Sequence, residues 1–125
     1  MTEAINQVTS GTPLRGFNEY QQTATSFAIY PGKGEFLGIV YTVLKMNGEA
    51  GEIAEKVGKI MRDDKSIMSA EQRKALCLEL GDVLWYVAAC AKELEYSLEQ
   101  IANANIEKLA SRSARGKLSG SGDNR

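Results

Sequence analysis

Residues 76–91, with the sequence LCLELGDVLWYVAACA, decide how this chain folds. Their only charged side chains are Glu79 and Asp82, which are three residues apart in an otherwise apolar run. Residues i and i+3 of a helix share a face, so both carboxylates project beside an apolar stripe. We expect that stripe to form the core, and its members are Leu76, Leu80, Val83, Val87 and Leu94. Because burying an unpaired carboxylate costs on the order of several kcal/mol, these acids require either cationic partners or a metal.

The composition is typical of a soluble globular protein with one domain. Of its 125 residues, 43% are hydrophobic and 25% are charged, so folding buries enough surface to form a core. The net charge of −1 provides no general attraction to nucleic acids or anionic membranes, and no apolar run is long enough to span a bilayer. We therefore expect neither a nucleic acid polymer nor a membrane as a partner.

The cysteines and the absence of histidine limit the compartments and the catalytic groups that this chain can use. Cys77 and Cys90 are too far apart on one helix to bridge each other, so we expect two buried, reduced thiols. Together with the polar N-terminal sequence, these thiols favour a cytoplasmic location. The sequence contains no histidine, which excludes both a histidine base and an imidazole ligand. Any metal must therefore be bound through oxygen.

The N-terminal third of the chain predicts an arm followed by a short helix. Residues 1–16 are polar and aperiodic, and we expect them to be flexible. Helical spacing begins at about residue 19 and continues to about 29, with Asn18 and Gln21 in the pattern of a capping box. The Tyr-Pro-Gly-Lys-Gly sequence at 30–34 is a strong loop signal that ends this helix.

A long helical pattern follows over residues 35–62. The Asn47-Gly48 pair within it leaves open whether the segment is one helix, a kinked helix or two helices. One face is charged, and the other carries an apolar stripe of Phe36, Val40, Val43, Ala50, Val57 and Met61.

Two further capping patterns define the remaining helices. Each pairs a serine with a glutamine three residues later, and they are Ser69 with Gln72 and Ser97 with Gln100. They predict a helix to about residue 96 and a last helix to about residue 112. Residues 113–125 are basic and rich in glycine and serine, which favours a flexible tail. We therefore predict an all-α domain over residues 17–112, with four to five helices in an antiparallel bundle that oligomerisation completes.

Four acids are placed where they can converge. Glu49 and Glu52 lie on the long helix, and Glu79 and Asp82 lie on the next helix after a short polar loop. Short connections make neighbouring helices antiparallel, so the two acidic pairs can face each other. Converging carboxylates repel unless a divalent cation lies among them, and oxygen ligands of this kind suit Mg²⁺, with Mn²⁺ as a substitute.

The alternative is that these acids form ordinary surface ion pairs. Two pairs at i,i+4 spacing are available, Glu52 with Lys56 and Glu55 with Lys59. The same explanation is harder for Glu79 and Asp82, because residues 75–91 contain no lysine or arginine. The four acids together therefore favour a metal site.

The segments EAGEIAEKVGK at 49–59 and ELGDVLWYVA at 79–88 resemble the MazG-like all-α nucleoside triphosphate pyrophosphohydrolases. The family signature is E-x-x-E on one helix and E-x-x-D on a later one, and the resemblance extends from about residue 17 to the C-terminus. It implies a helical bundle whose acids bind Mg²⁺ and which cleaves a nucleotide to its monophosphate and pyrophosphate. It also implies a homodimer or homotetramer, with the site near the subunit interface. Some branches carry a second acid where this chain has Gly48, which leaves the number of metal ions open.

The site roles follow from this resemblance and from the chemistry of phosphoanhydride cleavage. Glu49 is our candidate both for the base that activates water and for a metal ligand, and the other expected ligands are Glu52, Glu79 and Asp82. Substrate contacts are expected from Lys56 and Lys59 on the face of Glu52, and the resemblance adds Asn105, Lys108 and Arg112 of the last helix. Two aromatic candidates are Trp85 and Tyr86.

Some of these substrate contacts have simpler explanations. Trp85 can pack in the core or form a wall against which a base stacks. Lys108 and Arg112 can instead be solvated cations at a helix end, where the helix dipole favours positive charge.

The sequence therefore predicts a Mg²⁺-dependent pyrophosphohydrolase of (deoxy)nucleoside triphosphates that removes unwanted nucleotides or adjusts a dNTP pool. Two alternatives stay open: a phosphoribosyl-ATP pyrophosphohydrolase, and a helical oligomerisation or regulatory module without catalysis. The preferred base and sugar are not indicated by the residue types.

Overall fold

The computed structural model describes residues 13–122 and contains four helices. They are α1 (Phe17–Thr25), α2 (Phe36–Asp63), α3 (Ala70–Glu93) and α4 (Leu98–Ala114). No strand occurs within these described residues, which confirms the all-α prediction. None of the four helices is both long and apolar enough to cross a membrane. The part of the predicted arm at residues 1–12 and the tail residues 123–125 lie outside the described residues.

Helices α2 and α3 form an antiparallel hairpin that carries the rest of the fold. The connection between them is only residues 64–69. Near this loop, Lys56 contacts Glu79 at 3.1 Å. At the other end of the hairpin, a Cβ atom on Gly38 would lie 2.8 Å from the Glu93 carboxylate. The start of α2 therefore lies beside the end of α3, and the two helices run in opposite directions.

Serine capping boxes begin both α3 and α4, as the sequence predicts. The Ser69 hydroxyl accepts the Gln72 amide hydrogen bond at 3.1 Å, and the Gln72 side chain accepts that of Ser69 at 2.8 Å. Ser97 and Gln100 make the same reciprocal pair. Helix α2 continues unbroken for 28 residues, so the Asn47-Gly48 pair does not divide it into two helices.

The predicted capping box at α1 is wrong. The N-cap residue of α1 is Gly16, and no side chain caps this end. The helix also ends at Thr25, about four residues earlier than the sequence pattern indicates. Asn18 and Gln21 are instead inside the helix, where both side chains bind another part of the chain.

Gln21 and Asn18 cap the start of α4 from a distance. The buried Gln21 amide accepts a hydrogen bond from the Leu98 amide at 2.9 Å and donates to the carbonyls of Ala88 and Tyr96. Asn18 Oδ1 accepts from the backbone amide of the next α4 residue at 3.2 Å. A buried amide with three satisfied hydrogen bonds fixes α1 against α3 and α4.

The core lies at the C-terminal half of α3. Ala88 and Ala89 are completely buried there, which lets α1 and the loop after it approach α3 closely. Tyr30 from that loop stacks on Tyr41 of α2 with ring centroids 5.7 Å apart, and Trp85 meets Tyr30 edge to face at 6.1 Å. These rings close the hairpin at the end away from its loop.

Several residues predicted to form the core are exposed in the single chain. Leu80 is 58% and Leu94 is 47% exposed, and on α2 the same holds for Phe36, Val43 and Met61. The reason is that α2 and α3 cover each other along one line only, so side chains about a quarter turn away remain uncovered. The expectation of two buried thiols is half wrong, because Cys90 is buried and Cys77 is exposed.

Candidate active site

Three acids from two helices converge beside the hairpin seam, the line along which α2 and α3 pack against each other. One carboxylate oxygen each from Glu49, Glu79 and Asp82 lies within 4.8 Å of the others. Glu49 and Glu79 are half-buried, whereas Asp82 is exposed. No other group of three potential ligands from His, Cys, Asp and Glu meets this spacing within residues 13–122. Carboxylate oxygens gathered this closely can converge on one divalent cation, and an all-oxygen donor set suits Mg²⁺ or Mn²⁺.

Glu52 lies outside this group. It is one turn beyond Glu49 on α2 and its side chain is exposed. It does not pair with Lys56, because that lysine contacts Glu79 on the other helix instead. Its role as a metal ligand stays a prediction.

Two lysines of α2 contact the acid group. Lys56 Nζ lies 3.1 Å from Glu79 Oε1, and Lys45 Nζ lies 3.9 Å from Glu49 Oε1. The glutamate side chains are 15% and 16% exposed, respectively, so solvent screens these interactions less than at the open surface. The spacing of residues on α3 does not reveal this partner of Glu79, because the lysine comes from the facing helix α2.

Lys59 forms an ordinary surface pair, as the alternative interpretation proposed. Its ammonium lies 2.9 Å from Glu55 Oε1, four residues earlier on α2. The hydrogen bond from Lys59 and its charge lower the pKa of Glu55 below its usual range. The substrate contact predicted for Lys59 is untested by this arrangement and stays a prediction.

Two tyrosines border the acids. Burial raises the pKa of Tyr86; the Lys45 charge opposes that rise, and the nearby Glu49 and Asp82 charges reinforce it. Burial also raises the pKa of Tyr20 on α1, with Asp82 as the second cause. Both phenols are therefore protonated near neutral pH and are available as hydrogen-bond donors. Tyr86 was predicted as a substrate contact, whereas Tyr20 was missed because no local motif connects α1 with the acids.

Trp85 is partly buried and packs against the core. Its indole nitrogen donates a hydrogen bond to the Ala24 carbonyl at 2.9 Å, and its ring packs edge to face against Tyr30 and Tyr86. These contacts favour the core-packing interpretation of this residue over a stacking surface for a nucleotide base.

The α4 candidates do not join the acid group. Asn105 and Lys108 are exposed, whereas Arg112 is only 5% exposed. The Arg112 side chain donates to the Gly122 carbonyl at 3.4 Å, and the Arg112 carbonyl accepts from the Lys117 amide at 2.7 Å. Arg112 thus lies against the described part of the tail, which favours neither a substrate contact nor the solvated helix end proposed for it. Substrate contacts from these α4 residues stay predictions.

A cleft of about 690 Å³ lies elsewhere, at the far end of the hairpin. Its walls come from the loop between α1 and α2 and from the end of α3, and they include Tyr30, Lys33, Phe36 and Glu93. None of the three clustered acids lines it. Glu93 is eleven residues beyond Asp82, which is about 16 Å along a helix. We therefore assign the chemistry to the acids and not to this cleft.

The fold and the acids together define a class: an all-helical protein whose antiparallel hairpin gathers carboxylates suited to a divalent cation. The model of the MazG nucleotide pyrophosphohydrolase domain matches residues 41–116, which contain all three clustered acids. The chain therefore belongs to the MazG nucleotide pyrophosphohydrolase family.

The chain is also similar to a phage protein and a bacterial protein. The Gene 37 protein of Mycobacterium phage L5 is 48% identical over 109 residues, which cover 85% of this chain and 96% of that protein. The uncharacterised protein YvdC of Bacillus subtilis (strain 168) is 38% identical over 69 residues, 51% of this chain and 65% of that protein. No solved structure matches the chain.

Proposed function

We propose that this protein is a Mg²⁺-dependent pyrophosphohydrolase that cleaves a (deoxy)nucleoside triphosphate to the monophosphate and pyrophosphate. The observation that carries the proposal is the convergence of Glu49, Glu79 and Asp82 within 4.8 Å, inside the segment matched by the family model. Removal of unwanted nucleotides or adjustment of a dNTP pool would be the biological role.

The residues divide the chemistry between them. Bound Mg²⁺ would neutralise the phosphate oxygens and polarise the anhydride. Glu49 is the proposed base for the attacking water, because it is half-buried in the acid group and the chain has no histidine. Glu49, Glu79 and Asp82 would hold the cation, with Glu52 as a further ligand. The protonated Tyr86 hydroxyl is a donor for the substrate.

We also propose that the protein works as a homodimer or homotetramer. Apolar side chains remain exposed along both helices of the hairpin, among them Val43, Met61 and Leu80. Helix glycines add to this argument: a Cβ at Gly51 or Gly58 would meet nothing within 4 Å, although glycine costs a helix about 1 kcal/mol relative to alanine. A second copy that packs on this face would explain both features.

We also propose a cytoplasmic location, because of the state of the cysteines. Both cysteines are free, and the Cys77 thiol is exposed on α3. A reducing compartment preserves such a thiol.

The test is release of pyrophosphate from a panel of dNTPs and NTPs, with and without Mg²⁺, extended to phosphoribosyl-ATP. We expect Mg²⁺-dependent release from at least one nucleoside triphosphate and its loss in Glu79→Gln. Glu55→Gln is the matched control, because Glu55 forms a surface pair on α2 outside the acid group. Release from phosphoribosyl-ATP alone would assign the second activity. A folded protein that is silent on the whole panel and indifferent to Mg²⁺ would support the helical module instead.

A further inference from the structure

Lys56 is placed differently from the other lysines of α2. Its ammonium lies 3.1 Å from Glu79 Oε1, and the Glu79 carboxylate is one of the three that converge within 4.8 Å. Lys59 is one turn away and binds Glu55, which is not part of that group. Lys45 reaches Glu49 only at 3.9 Å. Lys56 therefore makes the closest cation contact to the clustered acids among the described ion pairs.

This contact has an electrostatic consequence. Three carboxylates at such short range repel one another, and an ammonium on Glu79 offsets part of that repulsion. The same carboxylate is a ligand that a divalent cation would use, so lysine and metal compete for it. The Lys56 side chain is 41% exposed, which leaves its flexible four-carbon stem able to move away from Glu79.

We propose that Lys56 is a displaceable counter-ion of the metal site. Its ammonium neutralises Glu79 in the metal-free protein and leaves that carboxylate when the divalent cation binds. It then contacts the phosphates of the substrate, which bring negative charge to the same place. This proposal rests on the proposed function and adds a reason why the acid group is stable without metal.

The counter-ion role of Lys56 predicts that its removal changes the affinity for Mg²⁺ and the affinity for the nucleotide in opposite directions. Lys56→Met removes the competitor, so Mg²⁺ alone should bind more tightly, by roughly two- to fivefold, the equivalent of one partly exposed ion pair. The same variant loses a phosphate contact, so KM for the nucleotide cleaved fastest should rise at saturating Mg²⁺. The unfolding midpoint of the metal-free variant should also fall. A residue with a purely structural role would weaken metal binding and substrate binding together.

The experiment is calorimetric titration of the full-length protein with Mg²⁺ in the absence of nucleotide. Lys59→Met is the matched control, and it should leave Mg²⁺ affinity unchanged because its partner is outside the acid group. Lys56→Arg keeps the charge and should bind Mg²⁺ as the wild type does. Lys56→Gln provides a second neutral variant should the methionine protein not fold.

Two results separate the possible failures. Equal Mg²⁺ affinity in the wild type and both neutral Lys56 variants would overturn the counter-ion role and leave the metal site intact. Absence of Mg²⁺ binding to the folded wild type and to every variant would overturn the proposed metal site, and the counter-ion role with it.

Discussion

Asp82→Asn should make the metal-free protein more stable while removing its response to Mg²⁺. Asp82 lies within 4.8 Å of both Glu49 and Glu79 through carboxylate oxygens. No ion pair within residues 13–122 involves it, whereas the two glutamates each contact a lysine. The substitution therefore removes two repulsive pairs and breaks no attractive ion pair.

The expected change in the free energy of unfolding follows from the distances between the carboxylate oxygens. Two unit charges about 5 Å apart in a water-like dielectric repel by about 0.8 kcal/mol, so two pairs contribute about 1.6 kcal/mol. Attraction to Lys45 and Lys56 in the same group offsets part of this. We therefore expect the free energy of unfolding of the metal-free variant to rise by about 1 kcal/mol. For the wild type, Mg²⁺ at a hundredfold excess over its dissociation constant should add about 2.7 kcal/mol, and the variant should lose most of this gain.

The assay is urea unfolding at low ionic strength and fixed protein concentration, with and without Mg²⁺. Trp85 is the only tryptophan and lies against the core, so its fluorescence reports unfolding directly. Asp63→Asn is the control, because Asp63 pairs with Arg62 away from the acid group and should leave the Mg²⁺ response unchanged. A metal-free Asp82→Asn protein that is less stable than the wild type, or that gains as much from Mg²⁺, would refute the reasoning.

Three further predictions concern the scaffold around the site. Gly38→Ala should lower the free energy of unfolding by roughly 2 to 3 kcal/mol, because the new Cβ would lie 2.5 Å from the Gly32 carbonyl oxygen. Gln21→Leu should cost roughly 3 kcal/mol, since it removes two buried hydrogen bonds and one partly buried hydrogen bond to backbone groups. Tyr30→Phe should reduce the loss of stability above pH 10, because burial and the hydrogen bond donated to Glu93 raise the pKa of Tyr30 above its ordinary value of 10.0. In the unfolded chain this phenol ionises first, so stability falls as pH rises from there toward the folded pKa.

Each of these predictions has a direct check. Urea unfolding measures the first two, and Gly48→Ala on the same helix should not lower stability because no atom lies within 4 Å of its Cβ position. Equal losses of stability at Gly38 and Gly48 would contradict the steric argument. A Gln21→Leu protein as stable as the wild type would show that its hydrogen bonds contribute little. For Tyr30, identical stability losses between pH 9 and pH 11 in wild type and variant would remove this phenol as the cause.

Local signals were sufficient for most of the fold. Both serine capping boxes begin helices where the sequence places them, because each box satisfies backbone donors within one turn. The acids of α2 and α3 converge because a short connection forces the helices to run antiparallel. Three of the four predicted ligands, Glu49, Glu79 and Asp82, could therefore be brought together from spacing and loop length.

Contacts between distant segments could not be read from local patterns. Asn18 and Gln21 have the spacing of a capping box, yet their side-chain oxygens accept hydrogen bonds from α4 amides that lie 81 and 77 residues later, respectively. The Lys56 contact with Glu79 likewise joins two helices. Tyr20 reaches the neighbourhood of Asp82 only because α1 packs against α3. In each case the partner depends on tertiary packing and not on helical period.

One exposed apolar face, formed by Val43, Met61 and Leu80, lies on the side of the hairpin away from Asp82. Ala50 and Leu80 each follow a clustered glutamate by one residue, which rotates them about 100° from the seam. Helices α2 and α3 are antiparallel and meet at that seam. The residue that follows a seam residue therefore projects toward the same side of the hairpin on both helices. Leu80 is therefore on one face with Val43 and Met61, while Asp82 is turned toward the opposite side. A second copy packed on the apolar face would bury these side chains without covering Asp82, so assembly and substrate access are compatible.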